Sequence, residues 1–288
     1  MALIYAFMGP LWLAFGVSLG ATLLARWQKL PGLLQAALPL LGFSLAYQLG
    51  WGQIHQQFWP PWPPLDSGHW LLWLLWPVTA LALVLQLRPR WTFWLHVFLS
   101  GLVLGLIWLI ATPLREHSWT GAIGWLIMGA AAGIWLLLIW GYKQLQFADA
   151  ETPQLGLLWN WWLLALASGW FCLLGSSALL AQLNWLVAAA LLPPVLLSRQ
   201  AAAAQGLPYL LRYLVPGLWL QLMLFAELPP AALLALALPL LSGWLQGQIK
   251  TRPRWQQNLW LWLFSGVWLL AVAGFSWWLM PRPELYLG

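Results

Sequence analysis

Charge is the scarcest commodity in this sequence. Of 288 side chains, 12 are Lys or Arg and 6 are Asp or Glu, so charged residues make up 6% of the chain. Soluble domains carry about 25%, and a water-facing surface cannot be built from so few charges. Disorder is excluded as well, because it requires low hydrophobicity and high charge. Cysteine is nearly absent. The single Cys172 lies in an apolar run, so neither an intrachain disulfide nor a cysteine-based zinc site can form.

Acids and bases are missing from the apolar stretches. The carboxylates are Asp66, Glu116, Asp149, Glu151, Glu227 and Glu284, all between or beyond those stretches. A carboxylate-based proton pathway needs an acid at mid-membrane, and a voltage sensor needs an arginine ladder; the sequence supplies neither. Only His96 falls within an apolar stretch, so a bis-histidine haem site is excluded. The G-x-S-x-G elbow, the H-E-x-x-H zinc motif and the phosphate loop are all absent. No cofactor is implied.

What remains is apolar and aromatic: 62% of residues are hydrophobic and 28 are Trp. A helix needs about 20 mostly apolar residues to span a bilayer. The sequence predicts ten such spans, near 3–24, 30–50, 69–87, 91–112, 119–140, 155–174, 177–197, 210–226, 229–247 and 257–280. Three hairpins need turn signals to separate them: Gly175-Ser176-Ser177, Pro229-Pro230 after Glu227, and the Pro113 to His117 stretch. The fold class is therefore an all-α polytopic membrane bundle, a single transmembrane domain over 1–288 with no soluble domain.

Positive charge sets orientation. The first span is followed by Arg26 and Lys29 and preceded by no charge, unlike a signal peptide. It reads as a permanent helix with its amino terminus outside the cytoplasm. Ten spans then place Arg26, Lys29, Arg88, Arg90, Lys143, Arg199, Arg212, Lys250, Arg252 and Arg254 inside, and Arg115 and Arg282 outside. Both termini lie outside, in a membrane of bacterial inner-membrane type. In this setting the net charge of +6 marks topology and not nucleic-acid binding. Membrane lipids are the expected partners, with other membrane subunits as an alternative.

Several local expectations follow. The Gly129-Ala-Ala-Ala-Gly133 stripe is expected to make a tight helix contact. Pro193-Pro194 is expected to be the strongest helix break. Trp51, Trp70, Trp91, Trp119, Trp255 and Trp278 read as interface anchors, and Trp108, Trp135, Trp170, Trp219 and Trp268 as deep residues. Arg88-Pro-Arg-Trp91 and Arg252-Pro-Arg-Trp255 read either as an internal duplication or as the shared liking of Arg and Trp for the interface.

Two residue groups carry chemical interest. His55, Asp66, His69, Glu116 and His117 all fall on the expected outer side, and Asp66-x-x-His69 has helical i, i+3 spacing. Such a set can bind a metal or exchange protons, or it can be ordinary loop polarity. Within the spans, Asn160 and Gln221, with Trp170 and Trp219, mark a candidate solute path. Three functions follow: a small permease or exporter for a neutral or amphipathic solute, a non-catalytic scaffold subunit of a larger membrane complex, or an outer-face enzyme. An enzyme is the least favoured.

Overall fold

The computed structural model describes residues 2–27, 30–64, 67–87, 92–117, 122–140, 154–174, 177–197, 206–225, 230–249 and 252–279. Every element among them is helical. In chain order they are α1 (Ala2–Ala25), α2 (Gly32–His55), α3 (Ser67–Leu87), α4 (Thr92–His117), α5 (Ala122–Trp140), α6 (Gln154–Leu174), α7 (Ala178–Leu197) and α8 (Leu207–Phe225). A 3-10 segment (Pro230–Ala237), α9 (Leu238–Ile249) and α10 (Arg254–Leu279) complete the bundle.

Backbone hydrogen bonds can be satisfied inside each segment only by helices, which is why an apolar chain of this kind forms little else. Four helical stretches are long and apolar enough to cross a membrane: Phe7–Ala25, Gly32–His55, Ala178–Leu197 and Trp255–Leu279. The apolar stretches Gly68–Val84, His96–Thr112, Gly124–Leu137 and Leu158–Leu174 are shorter. Large apolar side chains face outward around the bundle, among them Trp12 (66% exposed), Trp94 (69%), Leu126 (71%) and Leu270 (74%). Apolar exposure on this scale suits lipid, not water.

The most extensive pairings are α1 with α2, α6 with α7, and α1 with α7. Gly42 lies against the Ala21 methyl and Gly9 against Gln53, so α1 and α2 run antiparallel. Ser18 meets Ala190 and Phe7 meets Trp185, so α1 and α7 run parallel. Gly169 sits directly on the Trp185 indole, which closes the α6–α7 hairpin. At Gly42 and Gly169 a side chain would collide with the neighbouring helix.

The expected glycine contact is not where the spacing placed it. Gly129 and Gly133 have open space beside them, as do Gly16, Gly20, Gly101 and Gly105. Close approach depends on which face of a helix meets its neighbour, and the G-x-x-x-G spacing does not report that.

Helix α8 lies at the centre. It packs against α3, α4, α5, α6 and α7, and every residue from Leu210 to Leu222 is buried. A helix that is apolar nearly all round belongs in such a position. Beside it, the chain from Pro230 to Ile249 runs as eight residues of 3-10 helix followed by twelve of α-helix. Both parts pack on α10.

The two prolines of α7 do not break it. Pro193 and Pro194 lie inside a continuous helix, both buried. Pro194 has no N–H to give to the carbonyl of Ala190, four residues earlier. The Ser18 hydroxyl of α1 donates to that carbonyl instead, at 2.5 Å. Pro216 in α8 frees the carbonyl of Arg212 in the same way, and the Trp135 indole of α5 donates to it at 2.9 Å. Neighbouring side chains replace the missing bonds, which is how membrane helices tolerate proline.

The Trp residues also redistribute. Trp135 and Trp219 are buried as expected, but Trp51 is buried too, at 1% exposure. Trp108 and Trp170 face outward. Of the Arg-Pro-Arg-Trp pair, residues 88–91 lie outside the described residues.

Candidate functional site

At the outer-face cluster, two of the five expected residues come together. Trp51 and His55 occupy successive turns at the end of α2 and stack at 4.2 Å between ring centroids. His69, in the first turn of α3, lies 6.4 Å from His55 and 5.7 Å from Trp51. The His55 Nδ1 faces the Trp51 carbonyl at 3.1 Å. A carbonyl can only accept, so Nδ1 carries the hydrogen and a neutral ring presents Nε2 as its acceptor. Asp66 lies outside the described residues. Glu116 and His117 belong to the last turn of α4, not to a loop, and their side chains are outside the described set. Among the described residues no group of three His, Cys, Asp or Glu side chains is placed to hold a metal ion.

The proline-rich segment after α2 folds back onto α3. Gln56 ends α2 in the left-handed conformation. Trp59 stacks on Trp73 at 5.6 Å, and Trp62 meets Trp73 and Trp70 edge-on. The Trp73 indole donates to the Pro61 carbonyl at 3.3 Å. Gln48 donates to Phe58 and accepts from Trp76. The segment is thus held as a cap over the end of α2 and the start of α3.

The expected solute path divides. Asn160 is buried, and its carbonyl oxygen accepts from the Ser265 hydroxyl at 2.6 Å, joining α6 to α10. The Trp219 indole donates to Ser168 at 2.7 Å, joining α8 to α6. Gln221 is buried, with its Nε2 unpaired among the described residues. Trp170 does not join them: it is 62% exposed on the outside of the bundle, packed edge-on against Trp185.

The sequence reading placed Arg212 in an inner loop. The structure puts it in the second turn of α8, 2% exposed. The missed signal is Pro208, which favours a first-turn position and moves the helix start ahead of 210. The Arg212 guanidinium lies 5.0 Å over the Tyr209 ring. His96 of α4 is buried and sits 5.9 Å from Tyr209 and 5.5 Å from Trp140. Ser100 connects these groups: it donates to the His96 carbonyl and accepts from the Trp140 indole. Tyr213 is fully buried, and its hydroxyl has no hydrogen-bond partner among the described residues.

His96, Tyr209, Arg212 and Tyr213 line one pocket, whose remaining wall is the apolar Leu99, Val103 and Ile139. The pocket is small, about 10 Å³, the size that admits one water. Arginine stays protonated at any physiological pH. A buried permanent charge in an apolar bundle strengthens every interaction with negative or polar groups that reach it. Such a residue within an apolar bundle is a candidate functional position.

No family model matches the chain, and neither a curated protein nor a solved structure matches it.

Proposed function

We propose that the chain is a ten-pass protein of a bacterial inner membrane, with both ends outside the cytoplasm, acting as a small permease or exporter for an amphipathic solute. The observation that carries this reading is the Arg212 pocket. A permanent cation, two tyrosines and a histidine are gathered inside an otherwise apolar bundle. In that topology the inner ends of α4, α5 and α8 are the ones that carry His96, Trp140 and Tyr209. A solute would meet this pocket from the cytoplasmic side. The mixed 3-10 and α crossing at 230–249 supports the reading, because long 3-10 stretches inside helical passes often mark hinges.

Flux from liposomes tests the proposal. Octanesulfonate and octyltrimethylammonium keep their charge at every pH and cross bare bilayers slowly. Purified protein should release at least one of them faster than protein-free vesicles do. Release no faster than the blank for both would leave the permease reading without support.

A second reading, a scaffold subunit, is favoured by a different observation. The Asn160–Ser265 and Trp219–Ser168 pairs use their polar groups to lock helices together. Helix α10 also leaves a long apolar face open, including Val267, Leu270 and Trp278. Gentle-detergent purification followed by identification of stoichiometric companions tests it.

A further inference from the structure

We infer that the connection between α2 and α3 is an interfacial anchor: Phe58, Trp59 and Trp62 rest in the head-group layer of the bilayer, with phospholipid as their partner. The inference goes beyond the permease reading and does not depend on it. It requires only that α2 meets the membrane, on whichever side the connection falls.

The first observation is aromatic surface without charge. Phe58 is 58% exposed and Trp62 71%, and Trp59 is exposed beside them. No Asp, Glu, Lys or Arg occurs from Leu30 to Leu65. Large apolar groups gathered on an uncharged surface mark a place of contact. Helix α2 is long and apolar enough to cross a membrane, so the connection begins where such a crossing ends. Tryptophan favours that depth, because its ring is apolar and its N–H is polar.

The second observation is continuity with α3. Trp73, Pro77, Ala80 and Val84 stand at helical spacing on one face of α3, and the last three are exposed. Trp59 stacks on Trp73, and Trp62 meets Trp73 and Trp70 edge-on. The rings of the connection thus extend the outward apolar stripe of α3 past the start of that helix. A lipid surface lying along the stripe reaches the connection with no charged residue in between.

The third observation is the backbone. Burying an unpaired N–H or C=O is costly, so an irregular segment suits the edge of a bilayer only when few such groups are open. Pro60, Pro61, Pro63 and Pro64 have no N–H to satisfy. The Phe58 carbonyl accepts from Gln48, the Pro61 carbonyl accepts from Trp73, and the Gln57 N–H donates to the Gly52 carbonyl. Hydrogen bonds turn inward and rings turn outward. A connection facing water has no need of that arrangement.

Nitroxide accessibility of the full chain in phosphatidylcholine vesicles tests the inference. Phe58→Cys and Trp62→Cys are spin-labelled one at a time, with Val84→Cys as the reference on α3. The native Cys172 is fully buried and does not compete for the label. Oxygen, which concentrates in the bilayer, should relax the labels at 58 and 62 several times more than a water-soluble nickel chelate does. Nickel exceeding oxygen at either position would put the connection in water, as a platform for a polar partner, and overturn the inference. Low access to both reagents would put it against protein and overturn the inference as well. Photolabelling of the unaltered chain needs no substitution. Phosphatidylcholine with a diazirine close to its glycerol should leave adducts within residues 58–62, located by mass spectrometry. Adducts on α3 with none on 58–62 would overturn the inference even if the cysteine variants failed to fold.

Discussion

The Ser18 hydroxyl on α1 donates to the Ala190 carbonyl on α7, the carbonyl that Pro194 leaves without its helical partner. A residue near the start of the chain thus repairs a helix 172 positions later. The two helices run parallel and share a long contact, and this bond lies within it. Trp135 does the same for α8 at the carbonyl freed by Pro216. Proline and its distant donor form one unit in each case.

That coupling has a measurable consequence. Ser18→Ala should destabilise the protein by about 1 kcal/mol, the scale of interhelical hydrogen bonds in membranes. In a Pro194→Ala background the helix recovers its own bond, so Ser18→Ala should cost nearly nothing. Thermal unfolding of the four proteins in one detergent gives the double-mutant cycle. Equal losses in both backgrounds would separate Ser18 from Pro194.

The glycines sort by their neighbours and not by their spacing. Gly169→Leu should destabilise strongly, by roughly 3 kcal/mol or more, because the Trp185 indole occupies the space a side chain would need. Gly129→Leu should change stability by less than about 0.5 kcal/mol, as surface substitutions usually do. Melting temperatures of the two variants, compared side by side in detergent, decide the matter.

Trp73 holds the proline-rich cap through a stacked Trp59 and a hydrogen bond to Pro61. Trp73→Ala should release the cap while leaving α3 in place. Proteinase K added to intact vesicles from the outer side should then cut within residues 56–64 several times faster than in the unaltered protein. An unchanged cutting rate would mean the cap is held elsewhere.

Much of this architecture is legible in the sequence because its causes are local. Apolar length and scarce charge give the helices, and Gly-Ser or Pro-Pro signals separate most of the hairpins. Element α8 shows the limit. Hydropathy starts this span near 210 and the charge pattern assigns Arg212 to the inner side, whereas the helix begins at Leu207, with Pro208 in its first turn, and Arg212 is buried. The Pro193-Pro194 pair shows a second limit: whether proline breaks a helix depends on a donor from another helix, which no local pattern reveals. His55 and His69 come together because both flank the same connection, between α2 and α3. Trp170 faces outward, a placement that depth along the helix does not report, because depth says nothing about which side of a helix meets its neighbours.

In the proposed topology, alternating crossings put the connections after α5 and before α10 on the cytoplasmic side. Reporter fusions after residues 146 and 256 test this most directly. Green fluorescent protein should fluoresce at both points, and alkaline phosphatase should be inactive at both. Active phosphatase at either point would contradict the ten-pass arrangement and remove the cytoplasmic approach to the Arg212 pocket.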